Sequence, residues 1–186
     1  MTHPNLAPIP ANAWPDVLAD LDDAFAGKLN VYRTMAHHPA LVLAWANLRQ
    51  HVVLDTSLGR VRSEVVILRA AVALNSDYEW AHHVDRARAL GFSDARIATL
   101  RGPLEAMDPE DATIAGAVDE VLANARLTPQ TLAELTSLVT SQGVLDLFAT
   151  VGFYSTLGFI VNTFSVPIDG DIAANLAATP FADAAP

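Results

Sequence analysis

The chain has 186 residues, enough for one domain with a sizeable core, and 52% of them are hydrophobic. Its net charge of −10, from 11 Lys+Arg against 21 Asp+Glu, excludes the clustered cations that phosphate-backbone binding needs, so no nucleic-acid partner is expected. With no cysteine there is no disulfide, no thiolate nucleophile and no Cys-ligated metal, and the single lysine, Lys28 after Gly27, restricts Schiff-base chemistry to one turn position.

The mean hydropathy of +0.28 is high for a soluble monomer, which favours a homo-oligomer that hides apolar surface between subunits. Met1–Pro15 carries four prolines and no apolar run, so it reads as an extended arm rather than a secretory leader. A cytoplasmic location is expected, with residues 1–186 forming one domain.

Helical periodicity dominates from Asp16. Val17, Leu18, Leu21 and Phe25 space as one face of a helix that Gly27 ends. A second helix is predicted over Pro39–Leu54 and a third over Val61–Leu74, separated by Gly59. Asn75–Asp77 breaks the pattern, and a fourth helix runs to Leu90, closed by Gly91. Ser93 caps a short helix to Leu100, stopped by Gly102–Pro103. Further helices are predicted from Pro109 to Arg126, from Thr128–Pro129 onward, and over Gly143–Phe164 before Pro167. No strand pattern or repeat is visible, so the fold is all-α. The last helix is apolar, but Asp146 cuts its uninterrupted run below the roughly 20 residues that a bilayer crossing needs. It therefore reads as a buried or inter-subunit helix, and no membrane is expected.

Two helices carry acids and bases where apolar residues belong. At about 100° per residue, Val61, Glu64, Ile67, Leu68, Ala71 and Asn75 share one arc, which puts Glu64 in an apolar stripe. On the next helix Ser76, Glu79, Trp80, His83, Ala87 and Leu90 share an inward-reading arc, with Tyr78 and Asp85 on the wetter side and His82 off the stripe and solvated. Only Asn75–Asp77 separates the two stripes, so Glu64, Glu79 and His83 are positioned to converge with perturbed pKa values. The alternative is a satisfied buried network without chemistry. His37–His38 reads as a turn, and His51 as a helix-end residue. Tyr154 and Asn162 are either pocket residues or ordinary packing. Glu79-x-x-His82 has the spacing of a carboxylate-bridged metal site, but no second copy exists, so no metal is expected and a metal-dependent enzyme using Glu64, Glu79 and His82 or His83 is a third reading.

The runs Arg62-Ser63-Glu64-Val65-Val66-Ile67-Leu68-Arg69, Asn75-Ser76-Asp77-Tyr78-Glu79-Trp80-Ala81-His82-His83 and Gly91-Phe92-Ser93-Asp94 resemble the carboxymuconolactone decarboxylase family, which includes the alkyl hydroperoxidase D-like proteins. Val151-Gly152-Phe153-Tyr154, Asn162-Thr163-Phe164-Ser165-Val166-Pro167 and His38-Pro39-Ala40-Leu41 are similar to that family as well. In its peroxidase branch two cysteines stand between the glutamate and the histidine. Here those positions are Ser76 and Glu79, so disulfide cycling is excluded.

The resemblance to the cysteine-free branch implies an alkyl hydroperoxidase D-like helical domain assembling as a trimer or hexamer. It also implies a cofactor-independent lyase acting on a small carboxylated lactone or conjugated carbonyl. In that reading His83 donates or accepts the proton, Glu64 orients it or relays the proton, and Glu79 is a second acid. Ser76, Tyr78, Trp80, Arg69 and Tyr154 are candidate substrate contacts, with a structural ion pair the alternative for Arg69. Isomerisation, hydration or ring opening needs the same groups, and a non-catalytic ligand-binding oligomer is the contrasting reading.

Overall fold

The computed structural model describes residues 5–180. The N-terminal arm has no regular secondary structure over residues 5–10, is extended at Pro10 and then forms a 3-10 turn at Ala11–Ala13; Pro4 lies outside the described residues. The helices are α1 Phe25–Lys28, α2 Asn30–Met35, α3 Pro39–Gln50, α4 Arg60–Ala73, α5 Asp77–Ala89, α6 Asp94–Thr99, α7 Pro109–Asn124, α8 Pro129–Leu138, α9 Ser141–Phe164 and α10 Gly170–Ala178. A wide π-turn, His51–Asp55, prolongs α3. No strand is present among the described residues.

Most predicted helices appear within a residue or two of their expected ends. The exception is the single helix expected over Asp16–Gly27. Asp16–Leu21 is instead 3-10, the chain breaks after it, and α1 and α2 follow. At three residues per turn, Leu18 and Leu21 share a side that Val17 does not. Leu18 is fully buried and Val17 is 63% exposed. The helices α2 and α10 carry no strong periodic signal and were not expected.

The helix α4 is the axis of the fold. Apolar on nearly every face, it packs against α5, α7 and α9 at once. On one side Val65, Leu68, Ile114, Val118 and Leu147 form a core. On the other, Ile67 meets Tyr32, Val42, Phe153 and Leu157. The turn from α4 to α5 is tight. Asn75 takes a positive φ of 51°, its amide returns to the Val72 carbonyl, and the Ser76 amide returns to Ala71. These are the paired bonds of a left-handed helix C-cap. Ser76 Oγ then accepts from the Glu79 amide, so the residue that ends one helix caps the next. Gly91, at φ 89°, closes α5 with the same bond pattern.

The helix α9 is long and apolar enough to cross a bilayer, but 61% of its most apolar window is buried within the chain. Asp146 near its start is satisfied by the Ser57 amide at 2.5 Å, Thr56 Oγ1 at 3.2 Å and His51 Nε2 at 2.7 Å. Burial acts to raise the Asp146 pKa, but these donors outweigh it and hold the group below the ordinary aspartate value. His51, expected to answer only the helix end, is thus the partner of this carboxylate.

A second buried network fastens the C-terminal segment. Asp169 is 5% exposed and accepts the Tyr78 hydroxyl at 2.5 Å, His82 Nε2 at 2.8 Å and the Asn30 amide at 2.9 Å. The Tyr78 oxygen in turn accepts from the Val31 amide. This corrects two expectations. Tyr78 is buried rather than on a wet face, and His82 is 3% exposed rather than solvated. The reason is the segment around Asp169, which covers the side of α5 that periodicity left open. Replacing Asp169 with alanine strands buried donors on α2 and α5, so it should cost about 3 kcal/mol and lower the melting temperature by about 6–12 °C. Thermal unfolding followed by circular dichroism checks this, and a shift below about 2 °C would contradict it.

Candidate active site

Packing of α4 against α5 brings together the three residues expected to converge. His83 Nδ1 lies 2.6 Å from Glu64 Oε2, and His83 Nε2 lies 3.8 Å from Glu79 Oε2. All three are buried, at 8% exposure for Glu64, 4% for Glu79 and 1% for His83. The Tyr154 ring from α9 stands edge-on to the imidazole, with centroids 4.9 Å apart.

The electrostatics follow from burial. Loss of water pushes the His83 pKa down even though Glu64 opposes that shift, so the ring is neutral around pH 7. With Glu64 as the acceptor, its proton sits on Nδ1 and its Nε2 lone pair faces Glu79. Burial raises Glu79 to about 7, only partly offset by His82 and Arg86. Its Oε1 is buried without a hydrogen-bond partner, an arrangement that favours the neutral acid. Burial also drives the Tyr154 hydroxyl well above its ordinary value, so it remains a donor.

A cavity of about 340 Å³ opens beside this cluster. Its wall includes Glu64, Ser63, Ile67 and Tyr154, all buried, and Arg49, Arg60 and Arg86. His83 and Glu79 do not line it, so Glu64 is the member of the trio that meets the cavity. Among the described residues, none of the three arginines has a carboxylate within ion-pairing distance, whereas Arg62, Arg69, Arg88 and Arg96 each have one. Arg49 stacks over Phe25 at 4.1 Å, and its Nε is buried without a hydrogen-bond partner. Ser63 Oγ is likewise buried and unpartnered. In a chain of net charge −10, three arginines and one glutamate make this hollow locally positive.

Among the candidate substrate contacts only Tyr154 reaches this cavity. Arg69 grips Asp119 with two bonds of 2.7 and 2.6 Å and donates to the Leu100 and Gly102 carbonyls, so it is the structural ion pair. Ser76 caps α5, and Tyr78 is held by Asp169. Trp80, under the Arg101 guanidinium, lines with Ser76 a separate shallow hollow at the α4–α5 turn. Asn162 donates to the Leu74 carbonyl instead of entering a pocket. The three cavity arginines were missed. Arg60 lies four residues before Glu64 and Arg86 three after His83, so both share a helical face with the trio and were readable. Arg49 comes from α3, and no local spacing points to it.

Comparison with known proteins places this geometry in the alkyl hydroperoxidase D-like class of helical folds. Residues 39–118, from α3 into α7, match the model of the carboxymuconolactone decarboxylase family. The fold is similar to that of the debrominase Bmp8 in complex with 2,3,4-tribromopyrrole, with a TM-score of 0.76 and 12% identity over 95% of this chain and 98% of that one. It is also similar to an alkylhydroperoxidase AhpD core, a peroxidase-related protein from Ralstonia eutropha JMP134, with a TM-score of 0.72 and 20% identity over 92% and 96%. A peroxidase-related protein from Silicibacter sp. TM1040 gives a TM-score of 0.73 and 14% identity over 92% and 95%. No curated protein matches the chain by sequence.

The raised Glu79 pKa has a stability consequence. A group that holds its proton more tightly when folded stabilises the fold below its unfolded pKa and loses that contribution as pH rises through the folded value. For Glu79 this window runs from about 4.5 to about 7. Glu79→Gln, which cannot ionise, should match the wild type in stability near pH 4.5 and exceed it by about 3 kcal/mol at pH 8. Urea unfolding of both proteins across that range measures the difference. Parallel stability curves would show that Glu79 is not held neutral.

Proposed function

We propose that the protein is an acid–base enzyme, independent of metal or organic cofactor, that removes carbon dioxide from a small carboxylated lactone or conjugated carbonyl. The observation that carries this reading is the joining of a buried carboxylate–imidazole pair to a hollow walled by three arginines, none of which has a carboxylate ion-pair partner among the described residues. The arginines hold the substrate carboxylates and orient them, as guanidinium does for planar oxyanions. Loss of carbon dioxide leaves an electron pair that spreads into the conjugated carbonyl. A cationic, poorly hydrated wall stabilises that developing oxyanion, with Arg86 and the Tyr154 hydroxyl as donors.

Carbon must then be reprotonated. Glu79, the protonated member of the trio, donates to His83 Nε2 once the 3.8 Å gap closes. His83 gives up its Nδ1 proton to the Glu64 carboxylate through the 2.6 Å contact. Glu64, at the cavity wall, delivers that proton to carbon and is a carboxylate again. The imidazole thus passes a proton between two carboxyl groups and ends neutral. In this reading Glu64 relays the proton to carbon and His83 supplies it from behind, because Glu64 rather than His83 lines the cavity. The chain is expected to act in the cytoplasm on a soluble metabolite.

Carbon dioxide release from a panel of carboxylated lactones and β-keto acids tests the reaction class directly. Glu64→Gln and His83→Asn should each lower kcat at least 100-fold while leaving the helical spectrum intact. Arg60→Met should raise KM about tenfold with little change in kcat, because it removes binding made equally in ground and transition states. Full activity in both trio variants would refute the assignment. Turnover without carbon dioxide release would indicate isomerisation, hydration or ring opening. Tight binding without turnover would leave a ligand-binding protein.

A further inference from the structure

The helix α5 carries a second buried histidine, which the proposed reaction does not use. His82 is 3% exposed, and both of its ring nitrogens meet acceptors. Nδ1 lies 2.7 Å from the Tyr78 carbonyl and Nε2 lies 2.8 Å from Asp169 Oδ2. A neutral imidazole has one N–H, so it would set a bare lone pair against one of these oxygens. Two protons satisfy both contacts. Asp169 matches that state as a carboxylate, since its other bonds come from the Asn30 amide and the Tyr78 hydroxyl, whose oxygen already accepts from Val31. The Tyr78 ring stacks on the imidazole at 4.1 Å with 25° between the planes, and an aromatic face favours a cation there.

This cation stands beside the trio. His82 follows Glu79 by three residues, so the two side chains are neighbours on the helix surface. Burial keeps the Glu79 proton in place, His82 leads the influences that oppose it, ahead of Arg86, and Asp169 acts the other way. Glu79 is also faced by Tyr32 of α2, Tyr154 of α9 and, on its own helix, Tyr78 and His83, with Glu64 of α4 behind His83. The three tyrosines are held above their ordinary values and stay neutral, as does His83. The charges that act on Glu79 are therefore His82, Arg86, Asp169 and Glu64.

We infer that His82 is a buried imidazolium clamped by Asp169, a positioning residue whose fixed charge governs how readily Glu79 parts with a proton. Asp169 lies beyond Ser165, whose φ of 51° turns the chain at the end of α9, so the C-terminal segment helps fix the charge around the site. The pair stands on its own geometry, and only its effect on turnover rests on the proposed reaction.

Nitrogen-15 spectra of the wild type should show His82, assigned by its loss in His82→Gln, with both ring nitrogens protonated at neutral pH. Carbon-13 labelling of the glutamate carboxyls, with Glu79 assigned through Glu79→Gln, should give a Glu79 midpoint of about 7 in the wild type. His82→Gln should raise that midpoint by about one unit, and His82→Lys, which keeps a cation against Asp169, should restore it. Tyr78→Phe, which loosens the same clasp without changing its charge, should leave the midpoint in place. A wild-type His82 ring with a single proton overturns the inference, whether or not the variants fold. So does a midpoint that His82→Gln leaves unmoved, or that Tyr78→Phe shifts equally. Absence of turnover would strike the proposed reaction and leave these spectra unchanged.

Discussion

The rest of the site depends on one contact, the 2.6 Å bond between His83 and Glu64 in a place where neither is well solvated. A lone carboxylate on the apolar stripe of α4 would be costly to bury, and so would a lone imidazolium on α5. Paired, they fix each other's orientation and the imidazole tautomer. The helices carrying them are locked by the turn at Asn75 and Ser76, whose hydrogen bonds leave little freedom in how α5 leaves α4. The geometry of the pair is therefore set by packing rather than by a mobile loop, which is what a preorganised proton-transfer site requires.

Around that pair charge is arranged unevenly. Most arginines of the chain are engaged in structural work, as when Arg69 ties α4 to Asp119 on α7 and Arg96 grips the buried Asp111. Among the described residues, the three at the cavity have no such carboxylate partner. Glu79 contributes differently. Burial makes it a reluctant anion, and its unpartnered Oε1 leaves it free to turn toward His83. A carboxyl at this position cannot form a disulfide but can hold or release a proton.

Much of this was legible in the residues. Helical periodicity placed α3 to α9, and the mismatch of Glu64, Glu79 and His83 with their apolar neighbours marked the trio before any coordinates. What escaped has physical causes. The stretch from Asp16 folds as 3-10 rather than α, and the two periods differ too little over six residues to separate. Tyr78 and His82 looked exposed because the segment bearing Asp169, more than 85 residues away in sequence, covers them. Arg49 reaches the cavity from α3, a tertiary placement that no local spacing announces. Arg69 was a candidate contact for a substrate carboxylate, with a structural ion pair the alternative, and it pairs with Asp119 on α7.

The central claim is that His83 is a neutral, Nδ1-protonated imidazole bound to the carboxylate that faces a cationic hollow. Nitrogen-15 NMR of histidine-labelled protein, titrated from pH 5 to 8 with and without a small dicarboxylate, tests it most directly. The account predicts one ring that keeps the Nδ1–H tautomer well below pH 6.5 and whose shifts move when the dicarboxylate enters beside Glu64. A His83 ring that protonates like an exposed imidazole, or that is indifferent to the anion, would contradict it.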